Sequence, residues 1–384
     1  MKIAFVDFII DPARPGASGL SDIVWNMASQ LAALGDEVHI VAPYTTDEYP
    51  CAGVQVHRFS LPPIGYRNIF GHLLIVLRLW WELRKIKRIN IIHAPEYFST
   101  GVLSLLIKDI PIVLTVPGNI YERIKNGNPF DAITTAAYKI TAILSAKKCA
   151  TIIAYSRDQW YWWSYTGAKE ERMALIPLGV DTHLFKRTAQ NSCSSKNDQK
   201  FVILYIGRLS KEKGLVHLFH AVDALKKDGV DLELRLIGDG PQKESLTRLA
   251  RTLGLEKYIT WMGWIPQTEL PDHYRSASIC VLPSLSEPFG RTMIEAMACQ
   301  TAFLGAQVGG IADHITDGEN GFLVPPGDTK ALELKLRFIL ENQNAAVEAA
   351  SRGFDYVRQN LDWVVITRRV REEVYRPLVE TRSV

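Results

Sequence analysis

Residues 283–299 read Pro-Ser-Leu-Ser-Glu-Pro-Phe-Gly-Arg-Thr-Met-Ile-Glu-Ala-Met-Ala-Cys, and they follow the apolar run Ile-Cys-Val-Leu at 279–282. The short apolar run predicts a buried strand, and Pro288 with Gly290 predicts a turn directly after it. Apolar residues then recur at helical spacing, so a helix is expected to begin near Arg291. A buried strand followed by a loop and a helix indicates an α/β fold with a parallel sheet.

Two carboxylates bracket the start of this helix. Glu287 is expected in the loop at the carboxyl end of the strand, and Glu295 lies about two turns inside the helix. The backbone amides of Phe289, Gly290 and Arg291 have no partners within the helix, so they can donate to hydroxyl or phosphate oxygens. Carboxylates beside such donors suit a polyhydroxylated ligand. The simpler alternative is an ordinary strand-to-helix connection with solvated glutamates.

The composition is that of a folded chain with two domains. Its 384 residues, 47% of them apolar, are too many for one ordinary core and are enough to form two. The 44 basic and 41 acidic residues leave a net charge of +3, which argues against a general nucleic-acid-binding function. Five scattered cysteines indicate neither a disulfide framework nor a zinc site, and no signal peptide or transmembrane run is visible. We therefore expect a cytoplasmic protein.

The order of strand and helix patterns predicts two doubly wound, Rossmann-like domains. Strands and helices alternate through residues 1–185, a polar stretch at 186–200 is typical of a linker, and a second alternating series occupies 201–361. The remaining segment, 362–384, carries an apolar stripe and is expected to form a docked helix. In such folds ligands bind beyond the carboxyl ends of the strands, and the two domains are predicted to face each other across a cleft.

A second candidate cluster lies at residues 206–214, which read Ile-Gly-Arg-Leu-Ser-Lys-Glu-Lys-Gly and again join a predicted strand to a helix. Gly207 permits a tight path, and Arg208 and Lys213 can reach toward an anion beyond the strand end. Two cations in this position match a diphosphate. The alternative is a solvated turn, which is the commoner fate of paired basic residues in loops.

Three further glycine-containing loops follow or precede predicted elements. Gly238 opens the loop Gly-Asp-Gly-Pro, and Trp264 lies in Gly-Trp-Ile-Pro, so both loops can pack around a flat base or can simply turn the chain. Gly16 and Gly19 lie between the first strand and its helix. They lack the full G-x-G-x-x-G spacing, so dinucleotide binding is poorly supported.

As a set, these motifs resemble those of the retaining nucleotide-sugar glycosyltransferases of family 4, which have the GT-B fold. They occur in family order over about residues 175–330. The matching segments are Pro177-Leu178-Gly179-Val180-Asp181, Gly207-Arg208-Leu209 with Lys213-Gly214, Gly238-Asp239-Gly240-Pro241, Pro283-Ser284, Glu287-Pro288-Phe289-Gly290, Glu295-Ala296-Met297-Ala298, Gly309-Gly310 and Gly321-Phe322-Leu323-Val324-Pro325.

The resemblance assigns roles to the residues of both domains. Arg208, Lys213 and Glu287 would be the catalytic residues. Arg208 and Lys213 would hold the donor diphosphate, the Glu287 loop would bind the hydroxyls of the transferred sugar, and Glu295 would take the ribose. The remaining donor-binding candidates are Gly16, Gly19, Gly207, Gly238, Trp264, Phe289, Gly290 and Arg291. By the same resemblance, the domain at 201–361 binds the donor, the domain at 1–185 is on the acceptor side, and the last helix packs back on it.

The acceptor side departs from the family pattern. Many relatives have a histidine where this chain has Pro117, which puts a histidine role at that position in doubt. His93 and Glu96, near the end of an earlier strand, are candidates to compensate, although a single histidine there is more often a hydrogen-bonded structural residue. Asn119 and Tyr121 are further acceptor-side candidates.

The expected function is transfer of a hexose from a nucleoside-diphosphate sugar to an acceptor hydroxyl, with retained configuration, in polysaccharide, glycolipid or other glycoconjugate synthesis. The sequence contains no D-x-D triplet, so neither a metal nor another cofactor is expected. Two alternatives stay open. One is a GT-B glycoside phosphorylase, which would depend on free phosphate, and the other is a nucleotide-sugar-binding protein without catalysis.

A last candidate surface is formed by residues 67–88, where six basic residues and several aromatic and aliphatic ones occur with the single acid Glu82. This pattern predicts a helix that can lie on an anionic membrane surface, at the inner face of the membrane. The alternative is a helix that covers the sheet and leaves a basic end exposed.

Overall fold

The computed structural model describes residues 1–6, 19–43, 53–59, 69–115, 132–186 and 200–381. The chain divides into two compact units. The first unit comprises Met1–Leu178 and Trp363–Val384, and the second comprises Gly179–Asp362. Each unit is built around one parallel sheet, so the predicted pair of doubly wound α/β domains is confirmed.

The sheet of the first unit has the strand order β3-β2-β1-β4-β5-β6-β7, with every described pairing parallel. Most of its strands are buried, as expected of parallel strands that helices cover on both faces. The strands are β1 Lys2–Val6, β2 Glu37–Pro43, β3 Val54–Phe59, β4 Ile91–Ala94, β5 Ile112–Thr115, β6 Thr151–Ala154 and β7 Met173–Leu175.

Helices cover this sheet from both sides, because right-handed crossovers place the β1–β2 connection on one face and the connections from β3 through β7 on the other. Each of the four helices on the second face packs against the next one along the chain, and the contact between Tyr97–Leu106 and Ala132–Lys148 is the most extensive. The helices are α1 Gly19–Ala33, α2 Ile69–Lys85, α3 Tyr97–Leu106, α4 Ala132–Lys148 and α5 Arg157–Thr166. Trp163 of α5 is buried in the core, and Trp160 and Trp162 pack against it.

The end of the chain returns to the first unit and packs on α1. It is helical throughout, with α13 Trp363–Arg369, a π-helical segment Val370–Tyr375, and a final helix α14 Arg376–Glu380. Arg371 donates from Nε to Oδ2 of the buried Asp36 at 2.7 Å, which fastens the segment to the residue just before β2. No described helix is long and apolar enough to cross a bilayer.

The second unit contains a parallel sheet in the order β10-β9-β8-β11-β12-β13. The strands are β8 Phe201–Ile206, β9 Leu232–Ile237, β10 Ile259–Gly263, β11 Ile279–Leu282, β12 Phe303–Ala306 and β13 Phe322–Val324. The helices are α6 Leu215–Lys227, α7 Lys243–Thr252, α8 Leu270–Arg275, α9 Arg291–Ala298, α10 Gly309–His314, α11 Thr329–Glu341 and α12 Gln343–Asn360.

The chain enters the second unit earlier in the sequence than the polar stretch 186–200. The Val180 amide donates to the Leu361 carbonyl at 2.8 Å, and the ring of Phe185 contacts that of Tyr274. Arg275 donates to the carbonyl of Lys186 at 2.9 Å. These contacts tie residues 180–186 to the body of the second unit, whereas 187–199 lie outside the described residues.

Candidate active site

The candidate site lies where the strand order of the second sheet reverses. β8 and β11 are neighbours, but the chain leaves β8 toward β9 and leaves β11 toward β12, on opposite sides of the pair. The two connections therefore diverge beyond the carboxyl ends of β8 and β11, which is the position at which open α/β sheets bind ligands. The Arg208–Lys213 loop follows β8, and the Glu287 loop follows β11.

An ion pair joins these two loops. Lys213 Nζ lies 2.6 Å from Glu287 Oε2, and the Ser284 hydroxyl donates to the same carboxylate oxygen at 3.3 Å. The side chains of Lys213 and Glu287 are only 18% and 9% exposed, so water screens their charges less than it screens a surface pair. The structure thus brings together two of the three residues that the sequence assigned to catalysis.

The backbone fixes the separation of the two loops. Gly214, directly after Lys213, has a φ of 65°, and a Cβ there would lie 2.1 Å from the carbonyl oxygen of Pro283. Close backbone approach is therefore possible only without a side chain at this position. The Leu285 amide adds a hydrogen bond of 2.7 Å to the carbonyl of Glu212.

A third loop supports Glu287 from the side of β12. Gly309 begins α10 with a φ of 47°, and a Cβ there would lie 1.7 Å from the carbonyl oxygen of Glu287. The site is thus assembled from loops that touch through their backbones. The Gly207 amide donates to Ile237 at 3.0 Å, and Gly238 donates to Gly263 at 2.7 Å, so the loop of β9 joins the same assembly.

Arg208 has an exposed side chain, and its backbone is held from within the sheet. The hydroxyl of the buried Tyr205 donates to the Arg208 carbonyl at 2.8 Å. Burial, together with the nearby charges of Glu287 and Glu212, raises the pKa of Tyr205 well above its ordinary value. Tyr205 consequently stays a hydrogen-bond donor and anchors the loop that carries both cations.

The amino terminus of α9 begins beside Glu287. Gly290 is the N-cap with a φ of 99°, and no side chain caps the helix. The Phe289 ring is buried against His314 with ring centroids 5.4 Å apart, so this side chain belongs to the core. Arg291 starts the helix, and its guanidinium lies 3.5 Å from Glu295 Oε1.

Glu295 is buried and held by neighbouring side chains. Tyr274 donates its hydroxyl to Oε2 at 2.8 Å, while Gln267 and Arg291 lie 3.5 Å from Oε1. Burial, reinforced by the Glu295 charge, raises the pKa of Tyr274 well above its usual value, so Tyr274 stays protonated as a donor. Trp264, after β10, is 48% exposed.

The predicted acceptor-side residues that the structure describes are structurally engaged. His93, at the carboxyl end of β4, is buried with Nδ1 bonded to the Tyr375 hydroxyl and Nε2 3.1 Å from Thr115 Oγ1. Burial lowers the pKa of His93 to about 3, so the ring is neutral. Glu96 caps α3 by accepting from the amides of Phe98 and Ser99, each at 2.8 Å, and burial raises its pKa.

The remaining predicted residues are placed as follows. Gly19 is the first residue of α1, whereas Gly16, Pro117, Asn119 and Tyr121 lie outside the described residues. Within the described part of the chain, no group of three or more His, Cys, Asp or Glu side chains could hold a metal ion.

Sequence reasoning missed three supporting residues, namely Tyr205, Tyr274 and Ser284. Tyr205 is the one residue in the β8 run Phe-Val-Ile-Leu-Tyr-Ile with a polar side-chain atom, which is a signal that a buried hydroxyl has a partner. Ser284 belongs to the Pro283-Ser284 segment that matches the family, although the sequence assigned no role to it. Tyr274 carries no comparable signal, because it does not stand out from the helix around it.

Family models match both halves of the chain. Residues 186–355 match the model described as glycosyl transferases group 1, and residues 17–184 match the model of glycosyltransferase family 4. The chain is 28% identical over 408 residues to D-inositol 3-phosphate glycosyltransferase 1 from Catenulispora acidiphila, covering 99% of this chain and 96% of that one. It is 27% identical over 371 residues to sulfoquinovosyl transferase SQD2 from Arabidopsis thaliana, covering 93% and 70% respectively.

Solved structures share the fold. Sucrose-phosphate synthase from Thermosynechococcus elongatus superposes with a TM-score of 0.82 at 23% identity, covering 99% of each chain. HepE from Anabaena, solved with UDP and glucose, gives a TM-score of 0.77 at 21% identity, covering 98% of this chain and all of that one. The fold is therefore the GT-B fold, and the two family models identify the chain as a glycosyltransferase. This chain belongs to the family 4 and group 1 type of these enzymes.

Proposed function

We propose that this glycosyltransferase moves a hexose from a nucleoside-diphosphate sugar to an acceptor hydroxyl with retained configuration. The observation that carries the proposal is the Lys213–Glu287 ion pair at the point of strand-order reversal, 2.6 Å long and largely buried. A cation from one loop and a carboxylate from the next supply the two kinds of group that a sugar diphosphate requires. The diphosphate needs positive charge, and the sugar hydroxyls need strong acceptors.

In this proposal Lys213 and Arg208 hold the diphosphate. Negative charge grows on the leaving phosphate as the glycosidic bond breaks, and cations already in position stabilise that charge more than they stabilise the bound donor. We therefore propose that the leaving diphosphate is stabilised by these two side chains without a metal ion. Lys213 would exchange part of its contact with Glu287 for the diphosphate.

The residues around the start of α9 bind the transferred sugar and the nucleoside in this proposal. Glu287 accepts from vicinal sugar hydroxyls, and the uncapped first turn at Gly290 and Arg291 supplies donors. Glu295 accepts from the ribose, with Tyr274 holding its other oxygen, and the exposed Trp264 packs on the base. HepE is solved with UDP and with UDP-glucose, which makes UDP sugars the first donors to test.

On the acceptor side, we propose that His93 and Glu96 position the backbone and do not contact the acceptor. Both ring nitrogens of His93 are engaged, and both oxygens of Glu96 cap α3. Asn119 and Tyr121 stay the acceptor-binding candidates. A cytoplasmic role in polysaccharide, glycolipid or other glycoconjugate synthesis is part of the proposal. Relatives named as a sulfoquinovosyl transferase and as a D-inositol 3-phosphate glycosyltransferase support its glycosyl-transfer chemistry.

The test begins with a panel of nucleoside diphosphates in a thermal unfolding assay. A ligand at a hundred times its dissociation constant should stabilise the protein by about 2.7 kcal/mol. Lys213→Met should lose most of that shift. Lys330→Met is the matched control, because Lys330 is largely exposed and pairs with Glu333 at 2.9 Å rather than with a carboxylate of the candidate site. If no nucleoside diphosphate raises the melting temperature, or if Lys213→Met responds like the wild type, the proposed donor site is wrong.

Two further measurements address the chemistry. Proton NMR of the first product from an α-linked donor should show an α-linkage, and a β-linkage would overturn the retaining assignment. EDTA should leave the rate unchanged. Loss of activity on chelation, with recovery on adding magnesium or manganese, would instead assign the leaving group to a metal ion.

A further inference from the structure

One side of the first unit exposes large apolar side chains that its core does not use. On α2, Leu73, Leu77 and Trp81 are 36%, 51% and 53% exposed. On α4, Ile140 and Ile143 are 58% and 42% exposed. Both helices lie on the same face of the sheet, since the β3–β4 and β5–β6 crossovers run in the same direction. Single exposed apolar residues are ordinary, but a row of three along one helix, with two more in the same layer of helices, marks an interaction surface.

The exposed apolar residues of α2 do not contribute to the core of the first unit. Leu73, Leu77 and Trp81 recur at intervals of four and form one stripe along the helix. The opposite side of α2 carries Val76 and Leu79, which are fully buried in the core of the unit. The helix is therefore apolar on two sides. One side completes the core and the other faces outward.

The same face is strongly basic. On α2 and α4 together, all six lysines and arginines are exposed, and Glu82 is the single acid. Glu82 is buried and already pairs with Arg78 at 3.6 Å and with Lys85 at 2.7 Å. The guanidinium of Arg84 lies 4.9 Å from the centroid of the Trp80 ring. Long basic side chains can extend beyond an apolar stripe while their stems cover it.

We propose that this face, which we call the α2–α4 face, docks on an anionic lipid membrane. Apolar side chains that enter the region between headgroups and acyl chains, flanked by cations that meet anionic headgroups, are the two contributions that hold peripheral proteins on such surfaces. The charge selects this occupant over a second copy of the chain, because two copies joined through this face would place six cations opposite six. The proposal thereby extends the surface expected at residues 67–88 to α4.

Vesicle flotation tests the proposal with the full chain. Vesicles of phosphatidylcholine containing phosphatidylglycerol should carry the protein at low salt, and pure phosphatidylcholine vesicles should carry much less. Leu77→Ser combined with Trp81→Ser should lower partitioning at least about tenfold. The matched control is Leu334→Ser combined with Val347→Ser, in the second unit, whose side chains are 51% and 48% exposed. That control should partition like the wild type.

A charge variant separates the two contributions. Lys147→Glu combined with Lys148→Glu, at the exposed end of α4, should lower binding to the anionic vesicles at least about tenfold and should weaken the dependence of the remaining binding on salt. Binding that does not depend on phosphatidylglycerol, or that survives both variants, overturns the proposal. So does a dimer in sedimentation that Leu77→Ser with Trp81→Ser dissociates while the wild type ignores vesicles, because that result assigns the face to a second copy. Equal melting temperatures confirm that the variants fold.

Discussion

The two units share a doubly wound topology, yet they treat the carboxyl ends of their central strands differently. In the second unit the loops beyond β8 and β11 carry Lys213 and Glu287, and glycines let the backbones meet. In the first unit, the polar side chain described at the end of β4 is buried and bonded to its neighbours, so it is not available to a ligand. His93 at the end of β4 is buried between Thr115 and Tyr375, with both ring nitrogens bonded. The same fold thus offers charged groups to a ligand in one unit and uses its polar groups internally in the other.

The largest expected effect comes from the charged side of this comparison. Lys213→Met should lower turnover about a hundredfold to a thousandfold, equivalent to about 2.7–4 kcal/mol of transition-state stabilisation. The substitution keeps the length of the side chain and removes the charge. Turnover is measured at saturating donor, well below the melting temperature of each variant, beside the control Lys330→Met. Turnover within a few-fold of the wild type would show that Lys213 only stabilises the loops.

The buried side of the comparison predicts a pH dependence. His93 has a pKa of about 3 in the folded chain and an ordinary value near 6.5 when unfolded. Between these values the unfolded chain binds a proton that the folded chain does not. The free energy of unfolding should therefore fall as the pH drops below about 6.5, by about 1.4 kcal/mol per pH unit. Hydrogen exchange of the β4 and β5 amides reports on the first unit alone.

In His93→Gln this component of the pH dependence should disappear, although Gln should also lower stability at neutral pH. The control is His220→Gln, at an exposed position on α6 of the second unit, and it should leave the hydrogen exchange of the β4 and β5 amides unchanged. If His93→Gln keeps the slope of the wild type, His93 does not remain neutral in the folded state, and the contrast between the two units fails at this point.

Gly214→Ala tests whether backbone contact holds the ion pair. A left-handed φ of 65° at an alanine costs about 1–2 kcal/mol, and the Cβ must also push away the Pro283 carbonyl. Gly229→Ala is the control, because Gly229 has a φ of 80° but nothing within 4 Å of its Cβ. We expect both variants to lose stability, while only Gly214→Ala loses turnover. Equal turnover in the two variants would mean that strain, rather than loop separation, determines the effect.

The smallest expected effect concerns Ser284, whose hydroxyl lies 3.3 Å from Glu287 Oε2. Ser284→Ala removes one hydrogen bond to a carboxylate that keeps its lysine, so turnover should fall only a few-fold, or about 0.5–1.5 kcal/mol. Ser245→Ala, at an exposed hydroxyl on α7, should leave turnover unchanged. A loss as large as that of Lys213→Met would show that Ser284 itself contacts the donor.

Much of the fold could be predicted because its central strands are short apolar runs between turn residues. The strand predicted at 279–282 coincides with the observed Ile279–Leu282, and the second alternating series, predicted from residue 201, begins with the strand Phe201–Ile206. The strand at the edge of the first sheet, Val54–Phe59, is only partly buried and has mixed polarity, so its pattern is weak. The π-helical segment at Val370–Tyr375 contains neither glycine nor proline, so no residue type in it indicates a departure from the α-helix.

The sequence could predict individual residues of the candidate site, but it could not predict which of them contact one another. Lys213 and Glu287 are separated by 74 positions, and their contact depends on β8 and β11 being neighbours in the sheet. No local pattern fixes that adjacency. For the same reason Tyr274, which meets Glu295 from another helix, could not be assigned. His93 shows the reverse case, since its position at a strand end suggested a ligand and its burial supports a structural role.

The return of the last segment to the first unit also sets an order of assembly. The second unit is continuous from Gly179 to Asp362, whereas the first unit is completed by residues from Trp363 onward. During synthesis the second unit can therefore close first. The first unit, although made earlier, waits for Tyr375 to reach His93 and for Arg371 to reach Asp36. Until then the first unit lacks both contacts, so a released chain truncated after Asp362 should show a protease-resistant second unit beside a more sensitive first one.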